Sequence, residues 1–370
     1  MKMIRKIIRT IIILVLLFVI LTLQVPISFV SKKTNTNYDN VLCEAITNMD
    51  AKVVDIALLG SHDSFSDGIK YSSKPNVNES GITNNKLVNI FAKGLVVKMS
   101  KAQVVGAMDQ LNAGVRYFDV RVTEIDGVYY TCHGYLSNTF DIYLKEIVDF
   151  LDEHPGEYII FDIQHFYYDG SKSEVNEQKF NDLVEYMASI KSNNGNSIID
   201  YIKYDSQTDL LSTLTYGFIT TNKTKAGVIM LGKVDNNSKF YLRDENADYQ
   251  NMNYNSIFSI WHKTNSKTQL LEDIEFETKY LNEHDFSNVL RVNQAQRTGF
   301  IMNASIIRSL GEWSLLDMAK TTNKALIKDE EVFKSHLEVM PIFMVDYATS
   351  NASEFNKLAN KFIIEFNSGL

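Results

Sequence analysis

Short apolar segments alternate with amphipathic segments along most of this 370-residue chain. Apolar runs of this length, bounded by polar turns, predict buried strands. The predicted strands are Val53–Leu59, Val115–Val122, Val128–Cys132, Tyr158–Ile163, Ala226–Leu231, Ser256–Trp261, Val289–Asn293 and Ile342–Val345. Helical periodicity predicts helices at Tyr38–Lys52, Val104–Ala113, Asp141–Glu153, Val175–Ser192, Lys267–Asn282, Trp313–Ala319 and Ser353–Asn367. Strands that alternate with helices in this way predict an α/β fold with a parallel sheet, either a barrel or a doubly wound sheet.

The first 31 residues differ from the rest of the chain. Four basic residues precede an apolar run from Ile11 to Val25. This pattern predicts a signal peptide or an uncleaved N-terminal membrane anchor over residues 1–31, whereas a buried helix of the fold would not explain the basic flank. No clear cleavage pattern of small residues separates the two cases. Either case predicts an exported domain over residues 40–370, extracellular or anchored to the outer face of the cell membrane.

The composition is that of a folded protein with a sizeable core. Hydrophobic residues make up 45% of the chain, and the net charge of −8 argues against a nucleic-acid partner. The chain has two cysteines, Cys43 and Cys132. Export would permit a disulfide between them, but the place of Cys132 inside a strand favours a role as a small apolar filler. No group of cysteines and histidines has the spacing of zinc ligands.

Residues that carry chemistry lie in or just after three of the predicted strands. His62 and Asp63 come just past the first strand, where parallel barrels keep their catalytic groups. Asp119 and Arg121 share one face of the second strand by alternation, and His133 ends the third. Two histidines with an arginine between them supply a base, an acid and a fixed positive charge. This combination predicts phosphodiester chemistry.

Three motifs carry a resemblance to a known family. The segments Gly60–Ser64, Gln110–Arg121 and Cys132–Gly134 resemble the X-domain signature of phosphatidylinositol-specific phospholipases C. Weaker similarity to the X-domain-containing phospholipase-like subgroup continues downstream, at His154–Tyr167, Ile260–Asn265, Arg291–Gln296 and Met344–Tyr347. The resemblance implies an irregular TIM barrel that forms a single catalytic domain.

The resemblance also implies a reaction and a role for each histidine. The inositol 2-hydroxyl of a phosphatidylinositol-type lipid attacks phosphorus, the glycerol–phosphate bond breaks, and the products are diacylglycerol and an inositol cyclic phosphate. His62 is the implied general base, His133 the general acid, and Asp346 the carboxylate partner of His62. First and last strands are neighbours in a closed barrel, so the sequence separation of this pair is no obstacle. Asp63 is expected to orient the base.

Arg121 determines the expected cofactor requirement. Calcium-dependent relatives have an asparagine and acidic ligands at the places where this chain has Asp63, Asp119, Arg121 and Gln164. A guanidinium would repel Ca²⁺, but it can bind phosphate oxygens in a bidentate manner. We therefore expect a metal-independent enzyme without a cofactor, in which Asp119 steers Arg121 or bonds the substrate.

The head-group pocket is predicted from weaker signals. Lys233, Trp261 and His262 fall where the family lines its sugar pocket, and Asp119 and Gln164 complete the expected substrate-binding set. Gln164 stands where bacterial relatives have a lysine that contacts inositol. This departure leaves the preference for inositol open.

The long connection at residues 65–103 contains the apolar stretch Leu87–Met99, which includes Lys93 and Lys98. Exposed apolar side chains beside lysines predict entry into a lipid interface, although a helix packed on the barrel explains the pattern equally well. The expected partner is a phospholipid at a membrane surface, with the chain as a monomer.

Two other functions remain as alternatives. Glycerophosphodiesterases and sphingomyelinase D-like lipases also place two histidines at barrel ends, but they typically carry metal-binding carboxylates near the first one. A non-catalytic lipid-binding module is the second alternative. The loss of one histidine would favour it, and both histidines are present.

Overall fold

The structure is a computed structural model that describes residues 2–24, 37–79, 81–91, 93–168, 176–234, 237–243, 257–286, 289–299, 312, 314–350 and 354–370. Its strands are β1 Leu58–Ser61, β2 Val115–Ile125, β3 Val128–His133, β4 Tyr135–Thr139, β5 Tyr158–Tyr168, β6 Gly227–Gly232, β7 Phe240–Leu242, β8 Ile257–Phe258, β9 Leu290–Gln294 and β10 Ile342–Val345. Its α-helices are α1 Lys2–Gln24, α2 Val41–Ala45, α3 Lys86–Phe91, α4 Lys93–Ser100, α5 Ala107–Asn112, α6 Phe140–Glu153, α7 Glu177–Ser189, α8 Tyr216–Ile219, α9 Lys267–Glu283, α10 Leu315–Leu326, α11 Glu330–Val339 and α12 Phe355–Asn367.

Eight strands form a parallel sheet in the order β7-β6-β5-β2-β1-β10-β9-β8. Strands β1, β6 and β10 are buried along their whole length, as expected when helices cover a parallel sheet. Among the described residues, β7 and β8 are the two edges, so the sheet is a curled, open barrel. This architecture confirms the predicted irregular TIM barrel.

The first strand and the first predicted helix are shorter than the sequence indicates. Within the predicted helix Tyr38–Lys52, only α2 is helical. The apolar run from Val53 is buried, but its first residues form turns and the strand begins at Leu58. Burial of these residues beneath the sheet therefore explains the apolar pattern without strand pairing. The predicted starts of four other elements lie outside the described residues: Val175, Ser256, Trp313 and Ser353.

Strand β3 runs antiparallel to β2, and this differs from the prediction of parallel strands throughout. The turn between them is Asp126-Gly127, and both residues have positive φ angles, of 53° and 76°. This is the backbone that a two-residue hairpin turn requires. The hairpin carries His133 back towards the mouth of the barrel, so His133 reaches the site from a returning strand.

The N-terminal segment forms helix α1, and its described aliphatic side chains, from Ile4 to Leu17, are exposed, with Ile4 and Leu14 both 59% accessible. Residues 25–31 of the predicted signal or anchor segment lie outside the described residues. Across the parts of the chain that are described, no helix has the length and apolar character needed to cross a membrane.

Both cysteines are free, so the disulfide between Cys43 and Cys132 is not formed. Cys132 is buried within β3, and Asn76 Nδ2 lies 3.4 Å from its sulfur. The alternative role of Cys132, a small filler in the strand, agrees with this position.

Candidate active site

His62 follows β1 directly and lies beside the end of β10. The two strands pair in parallel, with Ser61 opposite Val345, so the residues that follow them are neighbours. His62 Nδ1 lies 2.7 Å from Asp346 Oδ1, and His62 Nε2 lies 3.3 Å from an Arg121 nitrogen. The structure therefore brings together the imidazole and the carboxylate that the sequence pairs, and it leaves Nε2 as the proton-accepting atom.

Asp63 contacts Arg121 and His133 more closely than it contacts His62. Its Oδ1 lies 2.5 Å from Arg121 Nε, and its Oδ2 lies 2.9 Å from His133 Nδ1 but 3.4 Å from His62 Nε2. The closest partners of Asp63 are therefore Arg121 and His133, whereas its role in orienting the base stays a prediction. The reason for these contacts is local, because Asp63 has a left-handed backbone, with φ of 43°, which turns the chain sharply after β1.

Asp119 is fully buried on β2, beneath the arginine. Its Oδ2 lies 3.7 Å from both Arg121 Nη2 and His62 Nε2, and it accepts a hydrogen bond from the Asp63 amide at 3.2 Å. Since Asp119 has no accessible surface, its predicted role in binding substrate is wrong. Of the two roles considered, the geometry supports the steering of Arg121.

His133 faces His62 across the site. The two ring centroids are 6.2 Å apart, and the ring planes meet at 72°. His133 Nδ1 lies 3.0 Å from the carbonyl oxygen of Ser100, in addition to its contact with Asp63. Both partners engage Nδ1, so Nε2 is the nitrogen available for proton transfer.

The charges of this cluster favour two protonated histidines. Burial alone would lower the pKa of His62, but the carboxylates of Asp63 and Asp346 outweigh burial and raise this pKa to about 9. Burial likewise opposes protonation of His133, and Asp63 outweighs it, so the pKa of His133 is raised. The pKa of Asp63 is lowered because Arg121 and the two histidines outweigh its burial.

A cavity of about 850 Å³ opens beside this cluster. Most of its charged lining is cationic, and the described residues that line it include His62, Arg121, His133, Gln164, His165, Lys233, Arg243, Trp261, Lys263, Gln294, Gln296 and Glu79. Pockets of this size hold small ligands in other proteins. A cationic cavity beside two histidines fits a polar, anionic group such as a phosphorylated sugar or cyclitol.

Gln164 and His165 are consecutive, yet both line the cavity. The pairing of β2 with β5 shifts here, since Val120 faces Ile163 whereas Arg121 faces His165. Gln164 is thus an extra residue, which breaks the strict alternation of a strand. Its amide nitrogen is buried and has no hydrogen-bond partner among the described residues, so it has the capacity to donate a hydrogen bond to a ligand.

Lys233 lies in the same wall, with Nζ 3.5 Å from His165 Nδ1. Burial and the nearby Arg243 lower the pKa of Lys233 to about 8. Burial and the adjacent cations, Arg121 first among them, lower the pKa of His165 to about 2. His165 is therefore neutral at physiological pH, while most Lys233 side chains remain charged.

Trp261 and His262 take opposite positions. Trp261 is 49% exposed at the rim of the cavity, where its indole NH donates to Thr298 at 2.7 Å. His262 is buried against helix α9 instead, with Nε2 3.6 Å from Glu277 Oε2. The prediction that His262 binds substrate is wrong. One side chain therefore faces the cavity and the other faces the helix.

Sequence reasoning missed Glu79, His165, Arg243, Gln294 and Gln296, all of which line the cavity. Arg243 is held by Asp162 at 2.7 Å, and Gln296 donates to Gln294 at 2.9 Å. The alternation of Gln294 and Gln296 at the end of β9 is a signal that both face one side. Glu79 lies in the long connection and leaves no comparable signal.

His62, Asp63 and Asp119 have ligand atoms close enough together to hold a metal ion. However, Arg121 Nε lies 2.5 Å from Asp63 Oδ1, so a guanidinium already neutralises this carboxylate. A cation placed among these residues would meet the repulsion of that guanidinium. The chemistry of the donor set therefore fits a site that uses arginine in place of a metal ion.

Comparison with known proteins gives matches in sequence and in fold. PI-PLC X domain-containing protein 3 of Homo sapiens is 37% identical over 122 residues, which cover 31% of this chain and 38% of that protein. The match thus spans well under half of the relative. Phosphatidylinositol-specific phospholipase C from Staphylococcus aureus superposes with a TM-score of 0.61 at 16% identity, covering 89% of this chain and 97% of that structure. The resemblance to the phosphatidylinositol-specific phospholipase C X-domain family is confirmed.

The Listeria monocytogenes phosphatidylinositol-specific phospholipase C gives a similar result, with a TM-score of 0.57 at 15% identity over 90% of this chain and 99% of that structure. No family model matches the chain. The likeness in fold to these two structures covers 89% and 90% of this chain, whereas the sequence match is confined to about a third of it.

Proposed function

We propose that this chain is a phosphatidylinositol-specific phospholipase C that acts by general acid–base catalysis without a metal ion. The observation that carries the proposal is the placement of Arg121 beside His62, with Asp63 bridging Arg121 and His133, in a site where the two histidine ring centroids are 6.2 Å apart. That spacing fits one phosphodiester group, with a proton-transfer group on either side of it. The sequence and fold similarity described above supports the choice of lipid.

In the proposed first half of the reaction, the neutral form of His62, which is the minor form below its pKa of about 9, removes the proton of the inositol 2-hydroxyl through Nε2. Its other nitrogen donates to Asp346 at 2.7 Å, which fixes the tautomer with the lone pair on Nε2. The 2-oxygen then attacks phosphorus. Arg121 stabilises the negative charge that grows on the non-bridging phosphate oxygens.

In the second half, the bond from phosphorus to the glycerol oxygen breaks. His133 gives a proton from Nε2 to that oxygen, while Asp63 and Ser100 hold Nδ1. Asp63 stabilises the protonated imidazole of His133. This suits a general acid, because the ring must carry a proton before it can donate one. The products are diacylglycerol and inositol 1,2-cyclic phosphate.

The substrate side of the proposal places the cyclitol against the polar walls of the cavity. Gln164 supplies a free amide donor, and Lys233 and Arg243 supply cationic donors to hydroxyl groups. Trp261 at the rim offers an aromatic face at the level where a lipid head group enters. We also propose that the enzyme acts as an exported monomer, on phospholipid at a membrane surface.

Phosphorus NMR of the products tests the proposal. Phosphatidylinositol in detergent micelles should give a cyclic phosphodiester in excess EDTA, and His62→Ala should abolish this product. Phosphatidylcholine and sphingomyelin serve as controls, and neither should be cleaved. Absence of product, or a product that requires added Ca²⁺, would contradict the proposal. Turnover of sphingomyelin alone would indicate the alternative substrate class.

A further inference from the structure

The long connection between β1 and β2, residues 65–103, closes over the β3–β4 hairpin that carries His133. Both backbone groups of Gly134, the residue after His133, are bonded to this connection. The Gly134 amide donates to Glu79 Oε2 at 2.7 Å, and the Gly134 carbonyl accepts from the Asn76 amide at 2.9 Å. The peptide next to the histidine is therefore held by residues outside the hairpin.

The position of Gly134 leaves little freedom for another arrangement. Its φ angle is +69°, and a Cβ atom there would lie 2.7 Å from the side chain of Thr83. Thr83 belongs to the same connection, and so does Ser100, whose carbonyl oxygen lies 3.0 Å from His133 Nδ1. The connection thus contacts both His133 and the residue that follows it.

Glu79 is bonded within a small polar network. Asn76 Nδ2 lies 3.4 Å from Glu79 Oε2, and Asn76 Oδ1 accepts from the Thr123 hydroxyl at 3.0 Å. Thr123 belongs to β2, so the network ties Glu79 to the strand that also carries Arg121. A carboxylate anchored in this way has a defined position relative to the rest of the site.

We propose that Glu79 is a positioning residue for the general acid. Its carboxylate fixes the Gly134 peptide and thereby the direction in which His133 presents Nε2 to the leaving oxygen. The negative charge of Glu79 also favours the protonated imidazole, alongside the larger effect of Asp63. The catalytic consequence rests on the proposed function, whereas the effect on the His133 ring does not depend on it.

Two substrates separate positioning of the acid from a general loss of the site. A glycerol oxygen is a poor leaving group and needs the proton of His133, whereas a nitrophenolate leaves without it. Glu79→Ala should lower kcat on phosphatidylinositol by about 10-fold or more and leave kcat on nitrophenyl inositol phosphate within about 2-fold. His133→Ala should show the same pattern with a larger loss. Glu79→Gln, which keeps an oxygen for the Gly134 amide, should retain most of the activity.

Glu153→Ala is the matched control, because Glu153 is exposed at the end of α6, away from the cavity. It should change neither activity. If Glu79→Ala lowers kcat equally on both substrates, or raises KM alone, the proposal is overturned in favour of a role in substrate binding. Unchanged activity on both substrates would overturn it outright.

NMR titration of His133 tests the positioning independently of turnover. Glu79→Gln should lower the pKa of His133 with its ring signals near the wild-type shifts, and Glu79→Ala should move both the pKa and the shifts. If the wild-type protein does not cleave phosphatidylinositol, the proposed function fails but this titration still decides the role of Glu79. Signals of His133 that are identical in the wild type, Glu79→Ala and Glu153→Ala would overturn the proposal.

Discussion

Asp63 is the residue on which the charges of the site converge, since it contacts Arg121 at 2.5 Å and His133 at 2.9 Å. One carboxylate thus contacts both the guanidinium and the imidazole to which the proposed function gives phosphate binding and proton donation. Asp346 contacts the other histidine. Asp63 raises the pKa of both imidazoles, so the proposed base role of His62 falls to the neutral fraction of that ring.

Replacement of Asp346 by asparagine should lower the pKa of His62. The carboxylate stabilises the imidazolium, so its removal favours the neutral ring, and the pKa should fall from about 9 towards or below the ordinary value near 6.5. The acidic limb of the kcat/KM profile should move to lower pH by the same amount. The maximum rate should also fall, because an amide no longer fixes the tautomer.

NMR titration of the His62 ring in the wild type and in Asp346→Asn gives the direct measurement. Asp273→Asn is a suitable control, because Asp273 lies on α9 beside His262 and away from the cavity. It should leave the His62 titration unchanged. A His62 pKa that stays near 9 in Asp346→Asn would show that Asp63 alone sustains the shift.

At the scale of single residues, the sequence predicts which residues come together. It predicts less well which contacts each of these residues makes. His62, Arg121 and His133 follow or end strands that the apolar pattern marks, so their convergence could be predicted. The partner of Asp63 depends on a left-handed backbone angle, and the inclusion of His165 depends on a bulge in β5. Both features arise from tertiary packing and leave no periodic signal.

At the scale of elements, the connection at residues 65–103 combines two properties. Its inner face contacts the His133 hairpin and lines the cavity, while its outer face exposes Val77, Leu87 and Ile90 by 67%, 65% and 64%. The segment contains six lysines and two acidic residues, in a chain whose net charge is −8. This local excess of positive charge suits an anionic lipid surface.

The outer face of the connection should contribute to membrane binding. Leu87→Asn with Ile90→Asn should reduce binding to vesicles that contain phosphatidylinositol, because two apolar side chains no longer enter the lipid. Turnover of a soluble nitrophenyl substrate should be unchanged. Vesicle co-sedimentation measures the first quantity and absorbance the second.

Leu210→Asn is the matched control, because Leu210 is 67% exposed but lies outside this connection. It should leave vesicle binding intact. Equal binding by the wild type and the double variant would mean that α3 is only a packed element of the barrel surface, the alternative that its sequence pattern also permits.

The hairpin β3–β4 shows how element-level prediction fails and succeeds. The Asp126-Gly127 turn is a local signal for an antiparallel return, and the structure has it. The alternation of strands and helices predicts a parallel sheet and does not reveal that return. Strand β7 has three residues, too few to show a periodic pattern, whereas α11 has ten residues with an amphipathic spacing that the sequence analysis did not assign to a helix.

At the scale of the molecule, the barrel is predictable because the order of apolar runs and helices constrains the topology. Parallel strands that alternate with helices have few arrangements, and the pairing of the first strand with the last follows from closure. The open edges at β7 and β8 cannot be predicted from this order, because they depend on which strands complete the curl of the sheet. The cavity lies across this part of the molecule, between Lys233 beyond β6 and Gln294 on β9.

Helix α1 should be dispensable for the barrel but not for membrane association. The buried core begins at Val41, and the aliphatic side chains of α1 are about half exposed, so its removal should expose little of the core. A chain that begins at Asn37 should melt within about 2 °C of the full chain and keep its turnover of a soluble nitrophenyl substrate. Helix α1 lies against α4 of the connection, so its loss should also reduce vesicle binding.

Calorimetry and co-sedimentation of the full and truncated chains give the comparison. A truncated chain that aggregates or melts well below the full chain would place α1 in the core, and a truncated chain that binds vesicles as well as the full chain would contradict the anchor.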